Sequence, residues 1–355
     1  MKQIHVGVVF GGRSTEHEIS RKSVMTILHA IPEEYQKTAI GITKAGKWYE
    51  FYGDKKLIPD GSWESSPEKR ELFFSYGGLQ YFRNGEFHSL HIDVFFPVLH
   101  GMYGEDGTIQ GFFEMLGVPY VGCGVGASAN GMDKSMTKLL VSATGIRQAD
   151  YVLVDRYNCH NPESIVAESE KKLGYPVFVK PCRSGSSVGV VKATDRQTLC
   201  SGLENALQYD TRILIEEAIP AREMECAVLS ACGETVAEVG EVVAADEYYD
   251  YDAKYNNPDS RTETHPDIPA ATEQEIREKA IRIFRLLDCR GLARVDFFVN
   301  RESGEVVFNE INTMPGFTNI SMYPLLMEKH GIRLGELVDR LIREALESDT
   351  PCKNI

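Results

Sequence analysis

The 355-residue chain is 43% hydrophobic and 25% charged, proportions of a soluble globular protein with room for two or three domains. Its 52 acidic and 38 basic residues give a net charge of −14, which argues against nucleic acid as the main partner while leaving room for a local basic site for phosphates. The eight cysteines form no C-x-x-C pair and no His/Cys cluster, which points away from zinc and from a disulfide framework and fits a reducing cytosol.

The start, Met1 to Gly7, reads as the approach to a strand and not as a signal peptide, and no apolar run is long enough to span a membrane. Ile4 to Phe10 is a buried strand closed by Gly11-Gly12, and the following helix carries Thr15 and Glu18 at capping-box spacing. Strand, glycine turn and helix open an α/β unit. Residues 40 to 90 hold short aromatic strands, among them Lys47–Phe51 and Leu79–Phe82, in an inserted meander. Val94 to Leu99 resumes the sheet and ends at His100-Gly101, and a helix runs from about Ile109 to Leu116. The small, glycine-rich stretch 123–130 reads as a boundary. Helix 133–144 and strands 151–154, 176–180, 213–217, 224–231 and 235–243 follow. A polar stretch, 246–268, has no apolar period and reads as a lid or a disordered segment. Thr272 to Asp288 is an amphipathic helix with Thr272 and Glu275 as a capping box and Ile276, Ala280, Ile283 and Leu287 on one face.

Chemistry concentrates near the C-terminus. Ala293-Arg294-Val295-Asp296-Phe297-Phe298 and Phe308-Asn309-Glu310-Ile311-Asn312 alternate polar and apolar residues across a turn-rich connection, 300–304. Residues two apart on a strand share a face, roughly 6–7 Å apart. A hairpin therefore brings Asp296 beside Glu310 and Asn312, oxygen donors that suit a hard cation such as Mg²⁺, with Mn²⁺ the alternative, bound together with substrate phosphates. A solvated hairpin shows the same alternation. Pro315-Gly316 directly after a strand holding Asn-Glu-Ile-Asn is an odd surface, however, and favours the metal reading. Lys180 ends a strand before Pro181-Cys182-Arg183-Ser184-Gly185-Ser186-Ser187-Val188-Gly189, where backbone N–H groups can close on phosphate oxygens. It is not a Walker A loop, and no G-x-G-x-x-G follows the first strand, which argues against a nicotinamide dehydrogenase. Glu16 is either a first-turn acid facing the helix dipole or a carboxylate gripping a substrate ammonium. His100 stands where α/β ligands often bind, although a lone His is more often structural.

These segments, with Gly11–Ser20, Leu99–Gly111, Met132-Asp133-Lys134, Tyr249–Tyr255 and Phe317–Pro324, resemble the D-alanine–D-alanine ligases of the ATP-grasp superfamily over almost the full length. The resemblance implies an α/β (α+β) ATP-grasp fold in three domains: 1–124, an N-terminal parallel-sheet domain; 125–218, central; and 219–355, C-terminal with the lid 246–268. ATP would lie between the last two. It implies ATP and two Mg²⁺ ions held by Asp296, Glu310 and Asn312. Lys134, Lys180 and Lys254 would contact phosphates, with Ser187 in the phosphate loop. Glu216 and the backbone at Ile219 would hold adenine, and Glu223 the ribose. Glu16, with His100 close by, would take the first D-alanine's ammonium. Glu16, Ser186 and Tyr255 would tie the lid across the cleft, and Ser321 with the Met322 N–H would take the second D-alanine's carboxylate. Arg294 and the Gly316 N–H would stabilise the oxyanion. The implied reaction joins two D-alanines through a D-alanyl phosphate for peptidoglycan synthesis, in a cytoplasmic enzyme, a homodimer, with no nucleic-acid or membrane partner.

Ala221, where the family commonly has glycine, and Cys182 depart from the usual pattern, and a free Cys182 beside ATP predicts thiol sensitivity. Ligases of the D-alanine–D-lactate class resemble the chain less. The D-alanine–D-serine class is the main alternative. It often carries an arginine where this chain has Met322, whose thioether packs against a methyl better than it serves a hydroxyl. A nucleotide-binding module without turnover would lack one or more of Arg294, Asp296, Glu310 and Asn312, and all four are present.

Overall fold

A computed structural model describes residues 3–185, 187–243, 261–318 and 320–348. The chain opens with β1 (His5–Gly11), α1 (His17–Ala30), β2 (Gln36–Ile42), β3 (Trp48–Phe51), β4 (Lys69–Ser75), β5 (Gly78–Arg83), β6 (Glu86–Leu90) and β7 (Val94–Val98). These strands form one sheet in the order β6-β5-β4-β3-β2-β1-β7. β1 pairs in parallel with β2 and β7, whereas β2 to β6 form an antiparallel meander. The sheet is therefore mixed, not purely parallel. The parallel β1–β2 pair is connected through α1, whereas β4, β5 and β6 follow one another through short turns that need only antiparallel pairing.

Next come α2 (Thr108–Leu116), α3 (Val125–Met132), α4 (Lys134–Ser142), β8 (Tyr151–Val154), α5 (Pro162–Lys172), β9 (Val177–Pro181), β10 (Val191–Ala193), α6 (Arg196–Ala206) and β11 (Ile213–Glu217). A four-stranded antiparallel sheet, β10-β9-β11-β8, carries α5 and α6 over Val177, Val179, Ile213 and Ile215. The last part holds β12 (Ala221–Ala231), β13 (Glu234–Val243), β14 (Arg261–Glu263), α7 (Ala270–Leu286), β15 (Gly291–Asn300), β16 (Val306–Asn312), α8 (Met322–Lys329) and α9 (Leu334–Ser348). Its antiparallel sheet runs β14-β13-β12-β15-β16.

Packing crosses the order of the chain. Ile276, Ala280 and Ile283 of α7 bury one face of this sheet together with Val141 of α4. The α3–α4 segment thus joins the C-terminal sheet, not the four-stranded one that follows it in sequence. The other face meets α9, whose Leu337, Leu341 and Ile342 share one core with Val6, Val8 and Phe10 of β1. A stripe of apolar residues three and four apart gives α9 that face.

The stretch 123–130, expected as a boundary, is mostly helix. The small residues of α3 permit a close approach: a Cβ on Gly131 would stand 2.9 Å from Thr313 Cγ2. Neither expected capping box forms. α1 starts at His17 with Glu16 as its cap position, and the Ser14 hydroxyl accepts the Glu16 N–H at 3.0 Å. α7 starts at Ala270, which places Thr272 inside the first turn, and Glu275 pairs with Lys279 at 2.6 Å.

Candidate active site

The hairpin forms as its alternation requires. β15 and β16 pair with Asp296 opposite Glu310 and Arg294 opposite Asn312, and the register shifts just after Asp296. The Arg294 guanidinium donates from Nε and Nη2 to the two Asp296 oxygens at 2.8 and 2.7 Å and lies 3.3 Å from Glu225 of β12. Burial works against the charged guanidinium, but Asp296 and Glu225 outweigh it and hold the group well above its ordinary range. Asn312 Oδ1 accepts the Met314 N–H at 3.2 Å. Glu310 receives Lys134 Nζ at 3.0 Å. Burial alone would raise the Glu310 carboxyl, yet Lys134, Lys180 and Arg294 bring it down to about 2. Glu223 goes the other way: burial, then Glu225 and Asp296, push it up to about 7.

Among the described residues no three His, Cys, Asp or Glu converge as a ready metal cluster. The donor set is two facing carboxylates and an amide, with neither sulfur nor imidazole. It fits a hard divalent cation.

The phosphate side follows from α4. Asp133 caps this helix by accepting the Ser135 and Met136 N–H groups, which puts Lys134 at its first position. Lys134 Nζ also donates to Ser184 O at 3.1 Å, in the loop after β9. Lys180 at the end of β9 reaches Glu216 of β11 at 2.6 Å, and Lys138 reaches the same carboxylate at 3.0 Å. Burial opposes ionisation of Glu216, but Lys138 and Lys180 prevail and hold it at about 2. Lys138 went unnoticed in the sequence. Its one signal is its place a helical turn after Lys134, on the same face. Cys182 lies in this loop fully buried, and burial, with Asp133 nearby, pushes its thiol up to about 12. This argues against the expected thiol sensitivity, because a buried neutral thiol is a poor nucleophile. Ser187 follows at φ +57°, and Ile219 lies half-buried in the linker between β11 and β12.

The third wall comes from the N-terminal sheet. Glu16 is 9% exposed, and its carboxylate lies between two glycine turns: a Cβ built on Gly101 would stand 2.6 Å from Oε2, and one on Gly185 3.1 Å. The α1 start and the phosphate loop thus meet at Glu16. His100 is buried between Glu105 at 3.6 Å and the Ser23 hydroxyl at 3.3 Å. Burial keeps the Glu105 carboxyl above its ordinary value, with Glu16 adding to the effect. Ser321 stands at the start of α8, where its hydroxyl meets Thr318 Oγ1 at 2.7 Å, and a Cβ on Gly316 would come within 2.9 Å of it. Met322 turns its side chain inward, against Gly240 of β13 and into the core. Its thioether thus packs against protein, while its N–H lies in the first helical turn, whose donors have no partner within the helix. Ser186, Lys254 and Tyr255, and most of the expected lid, lie outside the described residues.

Residues 5–123 match the family model described as D-ala D-ala ligase N-terminus, and residues 140–343 match that described as D-ala D-ala ligase C-terminus. The chain belongs to the D-alanine–D-alanine ligase family. It is 46% identical to a D-alanine–D-alanine ligase of Ruminiclostridium cellulolyticum, over 98% of this chain and 96% of the relative. It is 48% identical to that of Acetivibrio thermocellus, over 96% and 95%. Among solved structures it resembles the VanG D-Ala:D-Ser ligase of Enterococcus faecalis with a TM-score of 0.87 and 38% identity, covering 96% of this chain and 99% of the other. It also resembles the D-alanine–D-alanine ligase of Coxiella burnetii with a TM-score of 0.85 and 32% identity, covering 98% and 96%. The ATP-grasp architecture expected for this family is the one observed. No helix among the described residues is long and apolar enough to cross a membrane.

Proposed function

We propose that this ligase joins two D-alanines with consumption of ATP. The supporting observation is the convergence of three walls: lysines at 134 and 180, carboxylates at 296 and 310, and Glu16 against the phosphate loop. A carboxylate is a poor acyl donor, and phosphorylation by ATP turns it into a good one. Asp296, Glu310 and Asn312 would hold two Mg²⁺ ions, which supply charge neutralisation on the transferring phosphoryl group. Lys134 and Lys180 ground the phosphates, joined by Lys254 and Ser187. Glu216 and Ile219 receive adenine and Glu223 the ribose. Glu16 takes the first ammonium beside His100, and Ser186 and Tyr255 link it to the lid. Ser321 and the Met322 N–H take the second carboxylate. The attacking amine then displaces phosphate through an oxyanion facing the Gly316 N–H and Arg294, whose Nη1 is free of Asp296.

D-alanine as second substrate is supported by the two curated D-alanine–D-alanine ligases above, at 46% and 48% identity against 38% for the D-serine enzyme. The packed Met322 thioether carries no weight in that choice. ATP turnover with D-alanine alone and then with D-serine or D-lactate, with products weighed by mass spectrometry, tests the reading. D-alanyl-D-alanine that persists under competition supports it. A dominant mixed product moves the chain to the D-serine or D-lactate class, and no ligated product overturns it.

A further inference from the structure

Lys138 is 2% exposed, the most deeply buried cation of the nucleotide wall. Its Nζ donates to Glu216 Oε1 at 3.0 Å and to Ala149 O at 3.4 Å, with the Tyr151 ring 5.4 Å away. The other Glu216 oxygen is taken by Lys180 at 2.6 Å. The two lysines differ in their surroundings: Lys180 is 14% exposed and ends a strand at the mouth of the phosphate loop, whereas Lys138 is enclosed by its own helix and β8. A phosphate that takes Lys180 leaves a buried carboxylate with one cation. Without Lys138 it would leave none, and an uncompensated buried charge is severely unfavourable.

We infer that Lys138 is a positioning residue: the permanent counter-charge of Glu216, which releases Lys180 from that carboxylate to serve the nucleotide's phosphates. This rests on the proposed reading of Lys180 as a phosphate ligand. Lys138→Met keeps the apolar stem and removes the charge, so Glu216 retains Lys180 and the phosphates lose it. ATP affinity should fall about 10- to 100-fold, the worth of one charged hydrogen bond. KM for ATP should rise, with KM for D-alanine unchanged.

The decisive readout is the double-mutant cycle with Glu216→Gln. An amide does not compete for Lys180, so in that background Lys138→Met should change ATP affinity less than threefold. The double variant also leaves no buried carboxylate without its cation, which keeps the test open if Lys138→Met alone folds poorly. Binding is measured directly by calorimetry with ATP, in the absence of turnover. Equal losses in both backgrounds, or unchanged affinity in Lys138→Met, would overturn the inference while leaving the ATP site standing. Absence of ATP binding by the unaltered chain would overturn both.

Discussion

Arg294 carries two duties that compete. Two of its donors clamp Asp296, an expected metal ligand, and the guanidinium also offsets Glu225. Lys could not reproduce the planar fork, and a neutral side chain would take a buried cation away from two buried carboxylates. Arg294→Met should lower kcat by roughly 10² to 10³ if the group faces the oxyanion. It should also destabilise the fold by about 3–5 kcal/mol, the cost of breaking a buried pair. Turnover and thermal unfolding of the same variant check the two parts. Turnover within a factor of three of normal would remove Arg294 from the chemistry. Glu223 makes a pH prediction. Its folded value of about 7 lies above the unfolded value of 4.5, so the folded state holds the proton more tightly. The stability this contributes is full below pH 4.5 and is lost as pH rises through about 7. Glu216 and Glu310, held at about 2, have the opposite sign, with their contribution present above pH 4.5 and lost toward pH 2. In metal-free buffer, Glu223→Gln should therefore gain stability relative to the unaltered chain between pH 5 and pH 8. A pH-independent difference in melting temperature would refute the shift.

At the scale of elements, one helix decides how the ends of the chain meet. Leu341 of α9 is 1% exposed and belongs to the same core as β1, and a Cβ on Gly291 would lie 3.4 Å from its Cδ2. Leu341→Ala should cost about 2–5 kcal/mol, the range for a buried leucine with little room to collapse. Denaturant unfolding measures it, and a loss under 1 kcal/mol would mean that α9 is dispensable to the N-terminal core. Nothing local in the sequence placed α9 there. Its amphipathic stripe shows that one face is buried but not against what, and that residues 6 and 341 belong to one core is a tertiary fact. The hairpin 291–312 was legible because a period of two, a turn-rich connection and chemically unusual polar residues all agree. The caps were not. Thr15 and Thr272 have the right spacing, but Ser14 and the Ala270 start satisfy the geometry first. Lys138 was missed because a buried lysine reads as an ordinary helix former until its partner on β11, 78 residues later, is known.

For the whole molecule, the question is how the N-terminal sheet senses what lies in the phosphate loop more than 160 residues away. Glu16 is the point of contact. Its carboxylate approaches Gly101, from the turn after β7, and Gly185, from the loop after β9, more closely than side chains there would allow. Gly101 sits at φ +69°, so a residue with a Cβ would be strained there in any case. Gly185 has no such backbone constraint, and its one conflict is with the Glu16 carboxylate. Gly185→Ala therefore isolates the contact: the carboxylate gives way by a few tenths of an ångström while the fold loses about 1 kcal/mol or less. If Glu16 grips the first D-alanine's ammonium, that displacement should raise KM for D-alanine severalfold. Glu16→Gln, which removes the charge but keeps the shape, should raise it about 10- to 100-fold, as expected for a charged hydrogen bond. ATP binding measured without D-alanine should stay within threefold in both variants, because neither residue donates to phosphate through its side chain. Steady-state kinetics over a D-alanine series separates the outcomes. A rise in KM for D-alanine in both variants, graded as stated, places the amino-acid substrate at the junction of the three walls. Loss of ATP affinity with unchanged KM for D-alanine would instead make Glu16 a support of the phosphate loop.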